Sequence, residues 1–158
     1  MGDFLGIISA DEIEELRKAR RDGTVHPLVN VALSVRDASE FALVAANTES
    51  AARLIADKDP KWLNALRPRL LAIDDFTHAS SALGEIRAYG ALLETWVSVK
   101  PAPEIPGRDV SPEFEIDNRD GLVIIEVHSR QLDEKEAASI DAAAKDLKSR
   151  HSETLQAP

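Results

Sequence analysis

The residues best equipped for chemistry lie in the last third of the chain. Glu126 sits inside the apolar run Leu122-Val123-Ile124-Ile125-Glu126-Val127-His128. A carboxylate within such a strand is costly to bury unless it is paired or holds a metal. Side chains alternate along a strand, so Ile124, Glu126, His128 and then Arg130 share one face, and Val123, Ile125 and Val127 share the other. One face thus sets an acid, an imidazole and a guanidinium in a row. On the preceding segment Glu113, Glu115 and Asp117 also share a face, and a hairpin would bring one of them beside Glu126. Two carboxylates converging at a strand edge make a hard oxygen site suited to magnesium or manganese. Such an ion polarises a phosphoryl oxygen and lowers the pKa of a bound water, the minimum equipment for phosphodiester hydrolysis.

These residues need elements to position them. Glu113-Phe114-Glu115-Ile116-Asp117 alternates strictly, Asn118-Arg119-Asp120-Gly121 reads as a turn, and the run after it reads as a strand covered on both faces. Upstream, the spacing of Leu83, Ile86, Tyr89, Leu92, Leu93 and Trp96 predicts a helix over about 77–97, with Tyr89 and Trp96 on its packed face. An alanine-rich helix is expected over about 133–150. Nearer the N-terminus, Ser9 and Glu12 have capping-box spacing and open a helix. Residues 28–35 alternate Val29, Val31, Leu33 and Val35 and read as a short strand. Residues about 38–56 are rich in alanine and predict one or two helices. Asp59-Pro60 opens a short helix, which Pro68 restarts. The expected architecture is α/β (α+β): a mainly helical region over 1–75, then a helix–hairpin–helix core with a small mixed sheet over 76–158. That sheet is short of strands. Residues 98–100, the strand at 28–35, or a protein partner or second copy in a homodimer would have to complete it.

With the order helix, Pro-acid, hairpin and Glu-x-base, the chain resembles the PD-(D/E)xK, restriction-endonuclease-like nuclease superfamily. Leu83-Gly84-Glu85-Ile86-Arg87 matches its first helix, Ser111-Pro112-Glu113-Phe114-Glu115-Ile116 its Pro-Asp strand, and Val123-Ile124-Ile125-Glu126-Val127-His128-Ser129 its acid-x-Lys strand. The resemblance covers roughly 78–150. It implies that Glu113 and Glu126 hold a Mg or Mn ion, joined by the backbone carbonyl of Val127. It implies that Glu85 supports the site from the helix, and that His128 stands where the family's lysine orients the attacking water. Gln131 would be a polar helper. Two residues depart from the family pattern: Glu113 replaces the usual Asp, and His128 the usual Lys, with Arg130 two residues on as the nearest fixed cation. The function implied is metal-dependent cleavage of a nucleic acid. The alternative is a catalytically inactive protein-interaction or regulatory module that keeps the fold.

Composition bounds both readings. Nineteen Lys and Arg against 28 Asp and Glu give a net charge of -9, which excludes a generally basic nucleic-acid coat. The absence of cysteine excludes disulfides and thiol catalysis. No apolar run is long enough to span a bilayer and the first residues lack a basic leader, so a soluble, cytoplasmic protein without a membrane partner is expected. Plainer roles compete for each candidate. Glu126 could pair with Arg87 or Arg130, and Glu85 could be solvated helix surface. The cluster Arg17, Lys18, Arg20 and Arg21 could be balanced by Glu12, Glu14 and Glu15 rather than by phosphates.

Overall fold

The computed structural model describes residues 4–21, 23–34, 42–96, 98–103 and 113–127. His128, Arg130, Gln131 and the helix expected over 133–150 lie outside the described residues. Local signals set several helix starts. α1 (Ala10–Lys18) opens on a complete capping box, with the Ser9 side chain accepting from the Glu12 N–H and the Glu12 carboxylate accepting from Ser9. Its basic residues pair back one turn, Arg17 to Glu14 and Lys18 to Glu15, which is the plainer reading for these two members of the cluster, while Glu12 pairs with Arg67. β1 (Arg20–Arg21) and β2 (Thr24–Val25) form a two-stranded antiparallel ribbon.

Residues 28–34 do not form the expected strand. α2 (Pro27–Ser34) is a helix that buries Leu28 and Val29, and Val35 falls outside the described residues. The reason lies just upstream. Pro27 occupies the first helical position, where its missing N–H costs nothing. The His26 ring nitrogen Nδ1 accepts from the Leu28 N–H at 3.2 Å, and the His26 carbonyl accepts from Val29 and Asn30. These bonds satisfy a helix N-terminus that β-branched residues alone would not nucleate.

α3 (Ala42–Lys58) is the long alanine-rich helix, and α4 (Pro60–Ala65) starts where Asp59 caps the Trp62 N–H. α5 (Arg67–Leu70) is one turn restarted at Pro68, and α6 (Phe76–Thr95) is capped by Asp75. α3 and α6 are the central helix pair. At their crossing Gly90 lies so close to Ala51 that an added Cβ would stand 2.3 Å from the Ala51 Cβ and 2.7 Å from its Cα. Trp96 ends up exposed just past α6, whereas Tyr89 is buried as expected.

The sheet follows α6. β3 (Val99–Pro101), β4 (Phe114–Asn118) and β5 (Gly121–Ile125) lie in the order β3-β4-β5 and are antiparallel throughout, not mixed. The third strand therefore comes from the segment just after α6, the one that the sequence offered at 98–100. The sheet packs on the helices through Val99, Phe114 and Ile116, which join one continuous core with residues from Leu5 to Tyr89. That core crosses position 75/76, because α6 packs on α2, α3 and α5. Phe114 is stacked on Tyr89 at 4.7 Å between centroids, and Trp62 meets both rings, at 4.8 Å and 5.6 Å. None of the described helices is long and apolar enough to cross a membrane.

Two outcomes are expected. Gly90→Ala gains helix propensity but drives a methyl into the α3 backbone, so it should destabilise by about 3 kcal/mol; a chemical denaturation curve showing net stabilisation would refute the close crossing. His26 donates from Nε2 to the Ala72 carbonyl at 3.0 Å while Nδ1 accepts, so both partners require the neutral ring. Burial holds its pKa below the ordinary 6.5. As pH falls the unfolded chain takes the proton first, so the His26 contribution is intact above 6.5 and is lost as pH drops below it. Between pH 8 and pH 5 the wild type should lose more stability than His26→Asn, which keeps a capping side chain.

Candidate functional site

The candidate acids divide between two environments. Glu85 is on the α6 face that meets α5. Both of its carboxylate oxygens accept from Arg69, at 2.6 and 2.8 Å, and the Ser81 hydroxyl one turn earlier reaches it at 3.3 Å. Its side chain is 7 % exposed and that of Arg69 38 %. This bidentate geometry is the strong form of an ion pair. The glutamate that the sequence marks inside Leu83-Gly84-Glu85-Ile86 is therefore neither solvated surface nor directed by its partners toward the sheet. Its carboxylate is occupied by a cation from the neighbouring turn of helix.

Glu113 and Glu126 belong to the hairpin. Its rungs run from Asn118↔Gly121 at the turn to Phe114↔Ile125 at the open end. The turn is tightened by the Asn118 side chain, which accepts from the Asp120 N–H at 2.8 Å, and Gly121 holds φ at +132°. Glu113 and Glu126 are each one residue past the last rung, at the same end of the two strands. Phe114 is buried and Ile125 and Val127 pack against the core, so alternation sets Glu113 and Glu126 on the opposite, outer side, with Glu115 and Asp117.

Glu113 is held at three points. Its N–H donates to the Ile125 carbonyl at 3.1 Å, its carbonyl accepts from Ala102 at 2.9 Å, and Oε2 accepts from the Val127 N–H at 2.7 Å. Ile125, the last residue of β5, and Val127 just beyond it are thus both tied to the acid that precedes β4. Further along the outer face Glu115 pairs with Lys100 at 2.7 Å, which raises the Lys100 pKa. Sequence reasoning misses that cation, directly across on β3, because its spacing from Glu115 becomes meaningful only once the register is known.

One premise of the sequence reading changes. β5 is not covered on both faces: Leu122 is 59 %, Val123 45 % and Ile124 51 % exposed, and Glu126 is exposed as well. The desolvation argument for a metal at Glu126 therefore falls away, and what remains is its placement beside Glu113. Among the described residues no group of three or more His, Asp or Glu side chains is arranged to hold a metal ion. His128 lies outside the described residues. Arg87, one proposed partner of Glu126, instead donates to the Thr48 hydroxyl at 3.5 Å.

The chain matches no protein-family model, no curated protein and no solved structure.

The Glu85–Arg69 pair makes a direct prediction. Removing Arg69 leaves the Glu85 charge buried, whereas Glu85→Ala leaves a partly wet guanidinium, so Glu85→Ala should cost about 1–2 kcal/mol, below the range for a fully buried pair, and Arg69→Ala somewhat more. Glu85→Ala and Arg69→Ala should be strongly non-additive in a double-mutant cycle of unfolding free energies. Additive losses would mean that Glu85 acts elsewhere.

Proposed function

We propose that this chain carries the metal-holding hairpin of a PD-(D/E)xK-type nuclease and acts in metal-dependent phosphodiester hydrolysis. The observation that supports this most is the hairpin register, which brings Glu113 and Glu126 to the same end and the same outer side of two paired strands. The donor set fits the ion. Magnesium is commonly held by only one or two carboxylates and keeps waters and substrate phosphates as its other ligands. Two glutamates at an exposed strand end meet that requirement. When bound, the ion would supply charge stabilisation at a phosphoryl oxygen and a more acidic water.

The protein's own residues have separate tasks. Glu113 is pre-positioned by the N–H of Val127, so its carboxylate keeps one orientation before any ligand arrives. In the resembled family's pattern the base position belongs to His128, whose neutral imidazole could accept a proton from water. Glu85 acts in the helical layer, where Arg69 holds it, and supports the site only by stabilising α6. The net charge of -9 means that nucleic-acid affinity would depend on the ion or on a basic partner.

A second reading, an inactive interaction module, is favoured by one observation: Leu122, Val123 and Ile124 present apolar side chains on an exposed strand.

Calorimetric titration with Mg²⁺ and Mn²⁺ separates the two. The nuclease reading expects binding in the millimolar range or tighter, weakened at least about ten-fold by Glu113→Ala and by Glu126→Ala. It also expects cleavage of DNA or RNA that stops when EDTA removes the ion. A folded wild type that binds neither ion at millimolar concentration overturns it and leaves the interaction module.

A further inference from the structure

His26 is fully buried, and both of its ring nitrogens are engaged. Nε2 donates to the Ala72 carbonyl, just after α5, and Nδ1 accepts from the Leu28 N–H in the first turn of α2. The Phe76 ring, at the start of α6, meets the imidazole in a T-shaped contact at 4.8 Å. One side chain thus joins the start of α2, the α5–α6 connection and the start of α6. This arrangement suits the neutral ring alone. A proton on Nδ1 would face the Leu28 N–H donor to donor. The bond that satisfies that N–H would be lost, and a charge would sit in a buried site.

His26 has no carboxylate partner among the described residues to offset that charge. α2 carries no titratable side chain. On the facing segment Asp74 accepts from the Asp75 N–H, and Asp75 accepts from the Thr77 N–H and lies 3.8 Å from the exposed His78. The arginines of α5 face Glu12 and Glu85. α2 is also the element least able to hold itself. It has eight residues, where an isolated helix needs about 12–15 to persist in water, and Val29 and Val31 are poor helix formers. The strongest packing elsewhere does not pass through His26: α3 crosses α6 at Ala51 and Gly90, and Phe114 stacks on Tyr89.

We propose that His26 is an acid-released latch, whose protonation frees the first turn of α2 from the α5–α6 corner while the α3–α6 pair and the sheet stay folded. Once released, the turn presents Leu28 and Val29 to solvent. The direction follows from linkage. The opened ring takes its proton at the ordinary 6.5, and the latched ring only at lower pH, so opening becomes easier as pH falls below 6.5. The device uses neither Glu113 nor Glu126, so it stands or falls apart from the nuclease reading.

The test is amide hydrogen exchange of the full chain at pH 8 and pH 5, each rate corrected for the intrinsic rate at that pH. Protection of the Leu28, Val29 and Asn30 amides should fall at least about ten-fold between the two. At pH 5 these amides should exchange through an opening that low denaturant barely changes, whereas amides of α6 from Leu83 to Gly90 stay more protected and respond steeply to denaturant. The proposal is overturned if protection at 28–30 does not fall. It is equally overturned if these amides match those of α6 in protection and denaturant response, since only whole-molecule unfolding would then expose them. His26→Asn keeps a capping acceptor and cannot titrate, so it should abolish the fall. His78→Gln should leave it intact, and a fall that vanishes in that variant would assign the response to His78. Should His26→Asn fail to fold, nitrogen NMR of the wild-type imidazole decides. It should show the Nε2–H tautomer at pH 8. The Nδ1–H tautomer, or a ring that protonates at 6.5 while the Leu28 amide stays protected, would sink the latch.

Discussion

The arrangement of this protein turns on one packing contact, Phe114 beneath Tyr89. A three-stranded sheet this small holds little structure by itself. Phe114 is fully buried, stacks on Tyr89 from α6 and meets Trp62 from α4. Asp59 reinforces the same point, since one of its oxygens caps α4 and the other faces the Tyr89 hydroxyl at 3.4 Å. Burial and that carboxylate raise the Tyr89 pKa to about 12, so the hydroxyl stays protonated and acts as a donor. Phe114 is also the last rung of the hairpin, next to Glu113 and opposite Ile125. The residue that anchors the sheet therefore also fixes where the two candidate ligands stand.

Charge follows the same division between layers. Two acids of the helical layer are matched to arginines from other elements: Glu12 to Arg67 and Glu85 to Arg69. Acids of the hairpin stand on the outer side, where hydration tolerates several together. Arg87 differs from Arg67 and Arg69, as a half-buried cation whose contact among the described residues is a hydroxyl.

Features governed by a few adjacent residues are legible in the amino-acid sequence. Ser9 with Glu12, Asp59 with Pro60, and the Asn118–Gly121 turn all stand where their local chemistry puts them. Residues 28–35 mislead because Val29, Val31 and Leu33 alternate as a strand would, while the decisive signal is the His26-Pro27 start in front of them. β5 misleads in another way. Its apolar run suggests cover on both faces, but composition does not say which neighbours arrive.

The sequence alone determined the helix starts at Ser9 and Asp59 and the existence of the hairpin, because capping, turn chemistry and strand alternation act over a few residues. Tertiary structure decided the rest. It gave Glu85 to Arg69, sixteen residues away, left Leu122, Val123 and Ile124 exposed, and set Arg87 beside Thr48, thirty-nine residues away, with no acid partner among the described residues. Whether a charged or apolar side chain meets a partner, a neighbour or water depends on which distant elements pack against it, and no local pattern encodes that.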